Sequence, residues 1–246
     1  MKIFVIEPDI NGILSAIYLC FTENAFPDAV ESKNAYLPRL GAEITDIKTD
    51  VKNAEKVKTA LFTYGGDDII ALMKICLRSC AKNRLFVAFR FAVLTLKERR
   101  NVSDDMKEKI VSDFSFTVQK VLHEKHIVSG FLRFKESARG VLYAEYAPDN
   151  DITELLAPHF LRRLDNRPFV INDLKRGVIC ISDGKRLKTF YCVLPSDFAP
   201  SEKEKAINDL WKRYYKEINI KERKNAKQQD GFMPRRYRKY AFETWE

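Results

Sequence analysis

Apolar positions follow two regimes along the chain. In the first half they recur every three or four residues, as on helix faces; past Gly130 they alternate in short runs, as in strands. Lys2 to Ile6 reads as an opening strand, then a turn through Pro8-Asp9-Ile10-Asn11-Gly12. A helix follows with Ile13, Leu14, Ile17 and Phe21 on one face. Residues 24–42, with Pro27, Pro38 and Gly41, read as loop, and Glu43 to Thr49 as a short strand. Thr49-Asp50 caps a helix holding Ala54, Val57, Leu61 and Phe62, which Tyr64-Gly65-Gly66 ends. Asp67-Asp68 opens the next, with Ile69, Leu72, Met73, Cys76 and Cys80 inward. Leu85 to Leu96 is apolar on nearly every side and suits either a buried helix or a β segment, the helical neighbours favouring the helix. Ser103-Asp104-Asp105 opens another that runs to His126, with Ile110, Phe114, Val118, Val121 and Leu122 inward.

Beyond Gly130, Phe131 to Lys135 and Val141 to Tyr146 alternate as strands around a turn at Arg139-Gly140. Asp151 caps a helix to about Leu164. Strands follow at Phe169 to Asp173, Gly177 to Ser182 and Leu187 to Val193, the last two joined by Asp183-Gly184. Ser201 caps a closing amphipathic helix with Leu210, Trp211, Tyr214 and Ile218. The expected class is α+β: a helical half with an N-terminal strand over residues 1–126, and an antiparallel sheet of about five strands flanked by helices over 127–246.

Composition narrows the class. Hydrophobic residues make up 46% of the 246, so the chain carries enough apolar surface for a core and is not disordered. The opening run meets Glu7 and Pro8 too early for an export signal, and Leu85 to Leu96 is too short for a bilayer, so a cytoplasmic protein without membrane contact is expected. The five cysteines stand apart or one helical turn apart, which suits buried thiols better than a cluster. His123 and His126 lie at i and i+3 with no third ligand in sequence, so neither metal nor cofactor is expected.

Charge is uneven. The net charge is +9, and Lys221 to Tyr240 alone holds eight bases against two acids, a net +6. Within it, Phe232-Met233-Pro234-Arg235-Arg236-Tyr237-Arg238-Lys239-Tyr240 interleaves bases with rings, the composition of a surface that neutralises phosphates and stacks on unpaired bases. The same string also suits an apolar anchor that docks a charged tail on the core. Two further groups bear chemistry. His159 with Arg162 and Arg163 suits either an anion site or cations at a helix end. In Asp173-Leu174-Lys175-Arg176-Gly177 a turn either presents two cations to a phosphate or is an ordinary polar connection.

In order and spacing, several of these segments resemble a bacterial family described as DNA metabolism or DNA repair proteins. They are Glu124-x-His126-x-x-x-Gly130-Phe131-Leu132-Arg133-Phe134, Pro148-Asp149, Leu156-Ala157-Pro158-His159-Phe160, Arg163 and Asp173-x-Lys175-Arg176-Gly177. Leu210-Trp211, Glu222-Arg223-x-Asn225 and Phe232-Met233-Pro234-x-Arg236-Tyr237-x-Lys239 complete the set. The resemblance is dense from Glu124 to Lys239 and thinner at Ile6 to Leu14. Arg238 stands where that family often has Trp, and Ala226 where it often has Pro. It implies a DNA-linked role beside a radical S-adenosylmethionine protein, and relatives fused to uracil-DNA-glycosylase-like domains.

Three readings follow. The first is a nucleic-acid-binding accessory using Arg133, Arg163, Lys175, Arg176, Arg235, Arg236, Tyr237 and Lys239. The second is an enzyme on a nucleobase or nucleotide, with His126, His159 and Asp173 as catalytic groups. The third is a protein–protein adaptor. A basic surface favours the first, a convergent pocket the second, and an exposed apolar patch the third.

Overall fold

A computed structural model describes residues 1–192, 201–218 and 225–240. Lys221, Glu222, Arg223 and Lys224 of the basic run, and Val193 of the last expected strand, lie outside the described residues. The chain divides into two compact units, Met1–Leu122 and His123–Glu246.

In the first unit β1 (Lys2–Ile6) is buried from Ile3 onward and forms the centre of a parallel sheet. Its neighbours are β2 (Ala29–Ser32) and β3 (Glu43–Asp46). β2 falls inside the stretch expected to be loop. Four residues with one buried side chain, Val30, carry too little periodicity to announce a strand; pairing with β1 makes it one. α1 (Ile10–Glu23) starts at Asp9, whose carboxylate accepts the Gly12 N–H at 2.7 Å. It buries Ile13, Leu14 and Ile17, while Phe21 stays outside, edge-on to Phe26. α2 (Val51–Gly65) is capped by Asp50 and ended by Gly66 at φ +85°, as its sequence requires. It buries Ala54, Val57 and Leu61 but leaves Phe62 half out.

α3 (Ile69–Leu77) stops before Cys80, which is exposed, and Asp68 makes no side-chain cap. α4 (Arg84–Glu98) is buried around most of its circumference, matching its sequence. α5 (Lys109–Phe131) begins six residues later than Ser103, because Ser103 to Glu108 fold into turns. Leu122, expected inward, is exposed. α5 also continues through Gly130 to Phe131, where the expected strand was to begin. Glycine costs a helix about 1 kcal/mol, and burial of Phe131 and Leu132 outweighs that.

The second unit holds a five-stranded sheet in the order β4-β5-β6-β7-β8. Its strands are β4 (Lys135–Glu136), β5 (Leu142–Tyr146), β6 (Phe169–Asp173), β7 (Val178–Ser182) and β8 (Leu187–Tyr191). The sheet is mixed, because β5 and β6 run parallel. α6 (Thr153–Arg163) lies between them in sequence, and a connection that long returns the chain as a crossover. α6 starts without the Asp151 cap and packs Leu156, Ala157 and Phe160 against β6 and β7. Phe134 sits edge-on to both Phe160 and Phe169. α7 (Glu202–Ile218) is capped by Ser201, whose hydroxyl accepts the Glu204 N–H at 3.1 Å. α8 (Ala226–Phe232) and the single turn α9 (Arg235–Arg238) follow. Among the described residues, no helix is long and apolar enough to cross a membrane.

The β7–β8 hairpin is fixed at Gly184, where φ is +94° and an added Cβ would lie 1.9 Å from the Asn166 carbonyl oxygen. Gly184→Ala is expected to destabilise the protein by about 2 kcal/mol or more, from the left-handed backbone and the clash together. Chemical denaturation should show a lower midpoint; an unchanged midpoint contradicts this geometry.

Candidate functional site

Glu124 belongs to the inward stripe of α5, one turn from Val121 and from Val128, so its carboxylate is carried into the interior, 6% exposed. A buried anion needs donors. The loop after β5 supplies three: the N–H groups of Asp149 and Asn150, each at 2.8 Å, and the Asn150 amide at 2.7 Å. The Tyr237 hydroxyl from α9 donates a fourth hydrogen bond to the same carboxylate. Tyr237 is 1% exposed, with its ring 5.1 Å from that of Phe131. Burial and the Glu124 charge push its pKa above the ordinary tyrosine value, keeping it a proton donor.

A second carboxylate holds the adjoining turn. Asp173, at the end of β6, is fully buried and accepts the N–H groups of Lys175 at 2.9 Å and Arg176 at 3.2 Å. The Arg176 guanidinium donates to Asp173 at 3.1 Å, to the Pro148 carbonyl at 3.0 Å and to the Asp149 carbonyl. Burial raises the Asp173 pKa; Arg176 and the two N–H donors oppose it. Arg176 thus ties the β6–β7 turn to the loop that feeds Glu124. Asp149 completes the ring: its carboxylate accepts Lys175 at 3.3 Å and Arg236 at 2.9 Å. Arg236 also lies 3.8 Å from Glu124, with its guanidinium 4.7 Å from the Tyr237 ring centre.

The structure therefore gathers Asp173, Lys175, Arg176, Arg236 and Tyr237 around Glu124 and Asp149. Two assignments change. Tyr237 is enclosed and offers no face for a base to stack on, and Arg176 spends its guanidinium on internal oxygens. Lys175 and Arg236 remain about half exposed. Arg235 and Arg238 grip Asp230 at 3.0 and 2.6 Å, and the Lys239 ammonium lies 4.9 Å from the Tyr240 ring centre.

The other candidates stand apart from this ring. Arg163 donates to the Ser129 carbonyl at 3.1 Å and Arg133 to that of Gly130 at 3.5 Å, so both cations meet the negative end of α5. His159 lies edge-on to Phe160, and its Nε2 has no hydrogen-bond partner among the described residues. His126 is exposed on α5. No hydrogen bond joins His126, His159 and Asp173 into an acid–base set among the described residues. From the sequence Glu124 was named only as a motif residue of the resemblance; its interval from Val121 and Val128 was the signal that it points inward.

The sequence profile of a domain of unknown function, DUF4130, matches residues 82–243, well over half of the chain. The chain belongs to the DUF4130 family. No curated protein matches it. The DUF4130 match opens before α4 and so extends well upstream of Glu124. It contains the whole Glu124–Tyr237 network and leaves the β1–β3 sheet outside.

Two measurements test the network. Glu124→Ala leaves the Asp149 and Asn150 N–H groups and the Tyr237 hydroxyl without an acceptor, and is expected to cost about 3 to 5 kcal/mol. Tyr237→Phe keeps the ring and removes one donor, for a cost of about 1 to 2 kcal/mol. Urea titration of both variants gives the comparison, and equal, negligible effects would contradict a buried network.

His159 offers a pH test. Burial first, then Arg163, Arg162 and Lys125, push its pKa below the ordinary 6.5. The folded state therefore prefers neutral imidazole, and the stability this supplies is present above the ordinary value and lost as pH falls through the lowered one. As pH falls below about 6.5, wild type should lose stability faster than His159→Leu. Parallel pH profiles would remove His159 from the linkage.

Proposed function

We propose that this DUF4130 protein is a nucleic-acid-binding accessory in DNA repair or modification, gripping phosphates through its C-terminal arm. A radical S-adenosylmethionine protein is its partner in this reading, as the family resemblance implies. The observation that carries the binding role is the anchoring of α9. One side chain of this turn, Tyr237, is fixed inside on Glu124, while Arg235, Arg236, Arg238 and Lys239 are left at or near the surface. Lys175 joins them through the carboxylate it shares with Arg236. A docked turn presents cations with less entropy left to lose than a free tail does. Exposed ion pairs such as Arg235–Asp230 are worth little in water, so phosphates compete for these guanidiniums at small cost.

The buried Tyr237 ring makes the contact one of charge, without the stacking that favours single strands. Labelled single-stranded and duplex DNA, titrated across salt concentrations, tests this. Replacing Arg235, Arg236, Arg238 and Lys239 by Ala should weaken both complexes and flatten the salt dependence by up to about 0.7 to 0.9 log units per lost contact. Melting temperature should change little in that variant, in contrast to Tyr237→Phe. Unchanged affinity and slope would sink the reading.

A further inference from the structure

α7 carries an apolar stripe that the rest of the described structure leaves in solvent. Ile207, Leu210, Trp211 and Tyr214 are 47, 68, 44 and 50% exposed. Their spacing confines them to an arc of about 100° on one side of the helix. Trp211 and Tyr214 are stacked on each other, rings 5.2 Å apart and 6° from parallel, so the C-terminal half of the stripe is a flat aromatic surface. The N-terminal half, Ile207 and Leu210, is aliphatic. Large exposed side chains scattered singly need no explanation, but four in one stripe mark a contact surface.

We infer that this stripe pairs antiparallel with the same stripe of a second copy of the chain. Such a pairing, with its two-fold axis between Leu210 and Trp211, lays Ile207 and Leu210 of each copy on the aromatic plate of the other. That is the self-complementarity an isologous contact requires. Charge selects the same arrangement. Lys203 and Glu217 are exposed and flank the Leu210 edge of the stripe at its opposite ends. Antiparallel pairing brings Lys203 of one copy to Glu217 of the other, twice, whereas parallel pairing sets like charge on like. The mixed signs also argue against nucleic acid here, since Glu204 and Glu217 border the surface a phosphate chain would follow. The inference is independent of the C-terminal arm, though a dimer would carry two such arms.

The contact is a single pair of short helices, so it is weak and depends on protein concentration. Sedimentation equilibrium of the full chain, from about 1 to about 100 µM, should show a monomer–dimer equilibrium. Leu210→Glu should leave a monomer with an unchanged far-ultraviolet dichroism spectrum. Lys203→Glu and Glu217→Lys should each weaken the dimer about tenfold, and the two together should restore it. A wild type that stays monomeric throughout overturns the inference and assigns the stripe to another partner or to none. A dimer that survives Leu210→Glu uses a different surface. A dimer lost in Leu210→Glu but not rescued by the paired reversal is not antiparallel. Either result also overturns it.

Discussion

The second unit is organised by the cost of putting one carboxylate where water does not reach. An unpaired anion in a protein interior costs several kcal/mol, so Glu124 is tolerable only with its donors in place. Those donors come from positions 25 to 113 residues away along the chain. Satisfying Glu124 therefore requires α5, the loop after β5 and the C-terminal turn to be formed together. A phenylalanine at 237 would fill the same space against Phe131 but leave the carboxylate one donor short. The hydroxyl makes this a lock and not merely a hydrophobic contact.

The charges around that lock balance from the inside outward. Glu124, Asp149 and Asp173 are met by Lys175, Arg176 and Arg236, three of each sign. Arg176, the most enclosed of the cations, is spent on three internal oxygens and holds two loops in register. At the rim, where water reaches the side chains, Arg235 and Arg238 share Asp230. The ionic groups thus separate into a balanced inner set and an exposed outer one, a division that net charge alone does not reveal.

Where local pattern and tertiary packing agreed, the fold was legible. The Asp50 cap, the Gly66 stop, the all-round apolar α4 and the β6–β7–β8 strands each follow from nearby residues. β2 was not legible, since four residues acquire strand geometry only by pairing with β1. Nor was the parallel β5–β6 pair, because a helix between two strands leaves their direction to whether it crosses over. At the candidate site, Asp173, Lys175, Arg176, Arg236 and Tyr237 were picked out by residue type, which did not convey that Tyr237 is enclosed or that Arg176 is held by internal oxygens. Rings among bases describe a stacking surface and a docking anchor equally well, and only the partner decides between them. Here the partner is Glu124, whose inward direction was written in its one-turn spacing from Val121 and Val128.

Anchoring and binding do not compete in this arrangement, because the two sets of ionic contacts lie at different depths. The Tyr237–Glu124 bond is enclosed, so salt and incoming anions reach it poorly, and screening acts weakly on it. The Arg236–Asp149 and Arg235–Asp230 pairs lie where water and salt reach them, in the regime in which an exchange of carboxylate for phosphate costs a fraction of a kcal/mol to about 1 kcal/mol. An anion can therefore take the arginines from their carboxylates without unseating the turn that carries them. Asp149 keeps Lys175 when Arg236 leaves, so that acid is not stranded by the exchange. In the proposed phosphate-binding role, the buried contact would supply position and the exposed ones affinity, with the one-residue interval between Arg236 and Tyr237 linking the two.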